Sequence, residues 1–173
     1  ENGSFRVLGD VIFDGDGLLL KDCTLSIGGE TFPYYGQGFF TNLAGYRTEG
    51  SGKVSMNGNA IQQVSGPGNF GALDMDNNSQ GDLVGDPGSV IIVGGADITC
   101  TQEFYLTTGN VDNTVDNVDF NGSPAPTIVR VDGRFLAKPI FTTLVNVVYF
   151  GNKKWTLFEL PNTADDKLNN LYI

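Results

Sequence analysis

The stretch Asp74-Met75-Asp76-Asn77-Asn78-Ser79-Gln80-Gly81-Asp82 sets oxygen-bearing side chains at alternate positions. Calcium takes six to eight oxygens, often from Asp and Asn spaced in this way around a curled loop. Asp74, Asp76, Asn78 and Asp82 fall at the first, third, fifth and ninth places of such a loop. Ser79 stands where an EF-hand needs glycine, and Gly85 where it needs a bidentate glutamate, so this is no EF-hand. Two readings stay open: a looser calcium loop on a β-scaffold, its shell completed by Asp86 or an acid of the 112–119 cluster, and a solvated Asx-rich turn.

A second group of side chains points to carbohydrate. In TFPYYGQGFF and the residues just after it, Tyr34 and Tyr35 stand near Gln37 and Asn42. Aromatic rings cover the apolar face of a sugar while amides bond its hydroxyls. Against this, adjacent tyrosines on a strand point to opposite sides, so one of them would only cover an edge.

The chain has no histidine. That removes Ser-His-Asp and Cys-His catalysis in their usual forms, and most zinc, copper and non-haem iron sites. Neither a GxxxxGK[ST] loop nor a GxGxxG turn between strand and helix occurs, which speaks against nucleotide-dependent chemistry. A glycosidase of the carboxylate-pair type survives, since it needs only two acids on facing strands. Glu30, Asp97, Glu103 and Glu159 are the strand-borne candidates, each with the plainer reading of a solvent-facing position.

Cys23 and Cys100 both sit in alternating stretches on the apolar side, so both are expected to point inward. They are a disulfide candidate; the alternative is two buried free thiols. Asn2, Asn77 and Asn121 begin Asn-x-Ser sequons, compatible with a secreted protein.

What positions these groups is a chain rich in β-formers and turn residues, with 24 glycines and 16 asparagines in 173 residues. Six dipeptides carry the signature of two-residue hairpin turns: Gly9-Asp10, Gly28-Gly29, Asn57-Gly58, Gly94-Gly95, Asp132-Gly133 and Gly151-Asn152. They predict a single all-β domain over residues 1–173, an antiparallel β-sandwich or jelly roll built of tight hairpins. A parallel β-helix would need a repeat of fixed period, and none is found. The last hairpin, turning at Gly151-Asn152, is apolar on both faces, which makes Val148, Trp155 and Leu157 a candidate interface. Thr163 to Asp166 reads as a capping box, followed by Leu168, Leu171 and Tyr172 in a short covering helix.

Net charge is −10, and no Lys or Arg occurs between Lys53 and Arg130, where nine acids lie. Phosphate binding relies on those cations, so no nucleic-acid partner is expected. No apolar run approaches the roughly 20 residues of a membrane-spanning helix. The start at Glu1 reads as the loss of an upstream segment, with a signal peptide or a longer fibre among the candidates. Together these features predict a non-enzymatic extracellular or virion-surface module, such as a fibre, pilus-like or capsid-type subunit. Its partners would be a glycan, a cell-surface receptor or copies of itself. A glycoside-active enzyme and a calcium-dependent carbohydrate-binding module are the alternatives.

Overall fold

The computed structural model describes residues 3–7, 11–13, 18–21, 23–28, 38–81, 85–150, 158–162 and 167–173. Among them the chain forms eighteen strands. The first six are β1 (Gly3–Val7), β2 (Val11–Phe13), β3 (Leu18–Lys21), β4 (Cys23–Ile27), β5 (Phe40–Asn42) and β6 (Tyr46–Glu49). Then come β7 (Lys53–Met56), β8 (Gln62–Ser65), β9 (Asn69–Asp76), β10 (Val90–Ile92), β11 (Ile98–Thr108) and β12 (Asn110–Asp112). The last six are β13 (Val118–Phe120), β14 (Thr127–Arg130), β15 (Arg134–Phe135), β16 (Ile140–Phe141), β17 (Val145–Tyr149) and β18 (Leu168–Tyr172).

Each strand pairs with one laid down a circuit later, and every pairing is parallel. The first face runs β1-β4-β7-β9-β11-β14-β17-β18, and the second runs β15-β12-β10-β8-β5-β2. A third face begins with β3 and β6. It continues through Asn69, bridged to Gly45, and through Thr99 and Cys100 beside Asn69 and Phe70. From there β13 pairs with Ile98–Cys100 and β16 with β13. The long strands β9 and β11 therefore bend across a corner and serve two faces each. The chain winds as a parallel β-coil of three faces.

This overturns the expected antiparallel sandwich. Alternation of apolar and polar residues says only that one side of a strand is buried and the other wet. Parallel sheets are usually recognised by continuous apolar runs, because helices cover both their sides. Among the described residues no helix covers the outside, so a parallel sheet carries the alternation of an antiparallel one. The glycine turns are real but turn corners instead of reversing the chain. Asn57-Gly58 leads from β7 to β8, and Asp132-Gly133 from β14 to β15. Gly94 and Gly95, with φ of +112° and +79°, lead from β10 to β11. Ile91, just before that turn, lies between Gln63 and Asp112 of the neighbouring coils. The turns at Gly9-Asp10, Gly29 and Gly151-Asn152 fall outside the described residues.

The final hairpin is corrected as well. Both edges of β17 are occupied, by β14 and β18, so it has no edge left for the segment that follows it. Leu168, Leu171 and Tyr172, expected in a helix, lie in strand β18; Thr163–Asp166 fall outside the described residues. Among the described residues no helix is long and apolar enough to cross a membrane.

Inside the coil like stacks on like. One row reads Ile27, Met56, Met75 and Leu106 from β4, β7, β9 and β11, all fully buried. Burying such a side chain contributes roughly 1.5–3 kcal/mol. A second cluster sets the Phe104 ring edge-on to Phe120 at 5.7 Å, with Phe120 stacked on Phe141. Asparagines and one glutamine peg the corners. Buried Asn42 accepts from the Gly45 N–H at 2.8 Å and donates to the Asn69 carbonyl at 3.1 Å. Asn77 donates to the Ala60 carbonyl and to Gln62, which itself donates to the Ile27 and Gly38 carbonyls. Asn113 donates to the Ala137 carbonyl and accepts from the Ala137 N–H. A buried backbone group must find a partner, and these amides supply one where the chain leaves a sheet.

Candidate functional site

A groove of about 770 Å³ opens where the third face meets the first. Its side chains come from successive coils at one corner: Arg47 and Thr48 at β6, Thr101 to Glu103 in β11, Asn121 to Ala125 after β13, and Thr143 after β16. In the coil between β6 and β11 the corner residue is Gly71. A Cβ there would meet the Gln102 amide oxygen at 2.8 Å and the Arg47 Cα at 3.0 Å, so only glycine leaves the floor low enough. Gln102 lies over it. Its Oε1 accepts from the Thr48 N–H at 2.7 Å and its Nε2 donates to the Thr48 carbonyl at 3.0 Å. A side-chain amide thus takes the part of a peptide unit, tying together two coils that the Gly71 coil separates. Across the groove the Gly122 N–H donates to Thr143 Oγ1 at 3.0 Å, and the Asn121 N–H to the Cys100 carbonyl at 3.1 Å.

Glu103 is the one carboxylate among the described residues that line the groove. Its Oε2 accepts the Tyr105 hydroxyl at 2.7 Å. Burial first, then that hydrogen bond and the charges of Glu103 and Asp74, push the Tyr105 phenol well above its ordinary value. Tyr105 therefore stays a donor at neutral pH. Arg47 stands at the other wall, 3.5 Å from Glu49, and both are well exposed.

Beside the groove, on the outer side of the first face, lies the Asp74 network. Asp74 is buried and accepts from Lys53 Nζ at 2.5 Å, Ser55 Oγ at 3.2 Å and Thr107 Oγ1 at 2.6 Å. The Lys53 ammonium also sits 5.2 Å from the centre of the Tyr105 ring. Asp76 points the same way and accepts from Thr108 Oγ1 at 3.3 Å. Burial and the neighbouring Asp74 raise its carboxyl above the ordinary range, against the opposing pull of Thr108 and Lys53.

The opening stretch is thus a strand end and a corner. Asp74 and Asp76 belong to β9, Asn77 is a buried peg, Asn78 is exposed, and Asp82 lies outside the described residues. Among the described residues no group of three or more acids, cysteines or histidines is placed to hold a metal. Tyr34, Tyr35 and Gln37 lie outside the described residues, and Asn42 is fully buried in its corner. Cys23 and Cys100 are free thiols. Cys100 donates weakly to the Gly71 and Glu103 carbonyls, and burial pushes its thiol up to about 12.

Of the other carboxylates, Asp97 accepts from the Asn117 N–H at 2.7 Å, and Glu159 is buried against Arg130. Glu30 lies outside the described residues. Val148 is half-buried between Val129 and Tyr172, while Trp155 and Leu157 lie outside the described residues. Among the sequons, Asn77 is buried, Asn121 is exposed at the groove, and Asn2 lies outside the described residues.

Apart from Glu103 and the sequon residue Asn121, the groove residues were not singled out by sequence. Arg47, Gln102 and Thr143 belong to no motif, because they meet only once the coil is wound. No protein-family model matches the chain, and neither the curated proteins nor the solved structures contain a significant match to it.

Proposed function

We propose that this chain is a non-enzymatic recognition segment of an extracellular or virion-surface fibre, and that its corner groove binds a glycan. The observation that carries this reading is the groove itself, about 770 Å³ and walled by a guanidinium, amides, hydroxyls and one carboxylate. Such groups hydrogen-bond sugar hydroxyls in any orientation. A peptide bound by strand addition needs a free backbone edge. Here the Thr48, Asn121 and Gly122 N–H groups are already engaged within the coil. Side chains are left to face the ligand, which favours a polyol.

A glycosidase needs a second carboxyl within roughly 5–10 Å of the first. Among the described residues that line the groove Glu103 stands alone, which supports binding over cleavage. The test is a glycan array probed with the labelled chain beside its Arg47→Ala and Asn121→Ala variants. Both residues are exposed and can be removed without touching the core. Binding that both variants weaken supports the reading; an array with no binder sinks it.

Assembly with copies of itself is a second reading, favoured by the outer row of the first face. That row begins Ser26, Ser55, Asp74, Tyr105 and ends Val129, Val148, Tyr172. Val129 is already buried within the chain, so a second copy would pack on half-buried Val148 and exposed Tyr172. Light scattering of wild type and Val148→Asp tests it, with a monomer at every concentration as the outcome against it.

A further inference from the structure

The shape and charge of the groove narrow its ligand, an inference that rests on the glycan reading above. From Arg47 to Thr143 the lining follows one corner through five successive coils. The chain of neighbours is Arg47 beside Gly71, Gly71 under Gln102, Thr101 beside Gly122, and Gly122 bonded to Thr143. Parallel strands lie 4.7–4.9 Å apart, so four intervals make a track of about 19 Å along the coil axis. An extended hexose chain advances by a similar amount per residue. Each interval between coils can therefore match one sugar, and the four intervals span about four.

Charge selects further. Among the described residues the lining holds one cation, Arg47, already beside Glu49, and one anion, Glu103. Along the sequence nine acids, Glu103 among them, and no base lie between Lys53 and Arg130, and the whole protein is at −10. A polyanion would approach a surface of its own sign, at a cost that salt only partly screens. An uncharged chain meets no such barrier. We infer that the groove takes a linear, uncharged oligosaccharide of about four residues, laid along the coil axis with its repeat matched to the strand spacing.

Calorimetric titration of the full chain with neutral oligomers tests this. The probes are β-linked glucose and N-acetylglucosamine series, from the monosaccharide to the hexasaccharide, against oligogalacturonates of the same lengths. Affinity is expected to rise at least tenfold from the disaccharide to the tetrasaccharide and then level off, with the galacturonates weaker at every length. Arg47→Ala and Asn121→Ala, three coils apart on the track, should both weaken the tetrasaccharide, whereas a disaccharide should respond to one of them at most. A monosaccharide as tight as the tetrasaccharide overturns the extended track and leaves the glycan reading standing. Galacturonates tighter than neutral chains overturn the charge argument alone. No binding by any oligomer, with an array that is also blank, removes the glycan reading itself.

Discussion

Two ion pairs of equal length, 2.5 Å, occupy opposite settings in this coil. Lys53 and Asp74 lie on the outer side of the first face, with the lysine about a third exposed. Arg130 and Glu159 lie inside, at 2% and 0% exposure. The register shows how Arg130 came to be there: it continues the row Ile27, Met56, Met75 and Leu106, and Tyr149 follows it. A row of apolar side chains is interrupted by a guanidinium, and the interior accommodates it only because every side is answered. Arg130 donates to Glu159 and to the Gly133 carbonyl, and Tyr149 donates to the same Glu159 oxygen at 2.9 Å. Outside, an unmet charge turns to water; inside, it has nowhere to turn. Stacked rows make the two settings comparable, since each side chain has a defined neighbour above and below.

The largest expected effect comes from breaking the interior pair. Glu159→Ala leaves a buried guanidinium uncompensated and should cost about 3–5 kcal/mol in urea unfolding. Replacing both partners, Arg130→Met with Glu159→Leu, should recover most of that loss, because a well-packed apolar pair restores the row. A single variant no worse than a surface substitution would show that the interior is wetter than the geometry implies. Asp74→Ala should cost less, about 1–3 kcal/mol. Ser55 and Thr107 lose an acceptor, but Lys53 can swing to solvent. Asp74→Asn, which keeps an acceptor oxygen for only one of the two hydroxyls and sets an NH2 against the other, should fall between wild type and Ala in the same measurement.

Asp76 sharpens the comparison through pH. Lys53 is committed to Asp74, so Asp76 bears burial and a like-charged neighbour. Its carboxyl is raised in the fold relative to the unfolded chain, and ionising it therefore opposes folding. The stability it lends is present below the ordinary carboxylate range and lost as pH rises through the folded value. Asp76→Asn should accordingly melt higher than wild type at pH 7, with the advantage vanishing as pH falls below about 4. Melting curves from pH 3 to 8 check this; a constant offset across the range would assign the effect to something other than titration.

Sequence carried the local half of this structure and missed the global half. The turns at Asn57-Gly58, Gly94-Gly95 and Asp132-Gly133 were legible because glycine and asparagine tolerate tight backbone conformations that other residues resist. Which strand each turn delivers its chain to was not. A hairpin and a corner use the same residues, and the partners of β7 are β4 and β9, not the run that follows the turn. A repeat would have revealed the coil, but the circuits differ in length. Gly3 meets Cys23, Thr24 meets Lys53, Val54 meets Leu73, and Asn69 meets Thr99, steps that vary from 19 to 30 residues. Corners absorb the difference, and the asparagine pegs hold corners of any length, which is why the amide count was visible while its purpose was not. The groove was illegible for the same reason. Gln102 reaches Thr48 across 54 residues of chain, and Gly71 matters only for what it leaves open.

The smallest effect on stability should come from a third ion pair, further out than either of the first two. Arg47 and Glu49 are 3.5 Å apart with side chains 68% and 43% exposed. Exposed pairs contribute about 0.2–1 kcal/mol, and many contribute nothing measurable. Arg47→Ala should therefore leave the unfolding midpoint close to wild type, completing a gradient from Arg130 through Lys53 to Arg47 in which the cost of breaking the ion pair falls as water gains access. The same substitution removes the one cation among the described residues that line the groove, so its binding readout should move while its stability does not. That dissociation is what separates a residue held for a ligand from one held for the fold. Arg47→Lys sharpens it, since the charge survives but the planar fork that bonds two hydroxyls at once does not. Glycan affinity that falls for both variants, at unchanged midpoints, places the role of Arg47 in geometry; affinity restored by lysine would place it in charge alone.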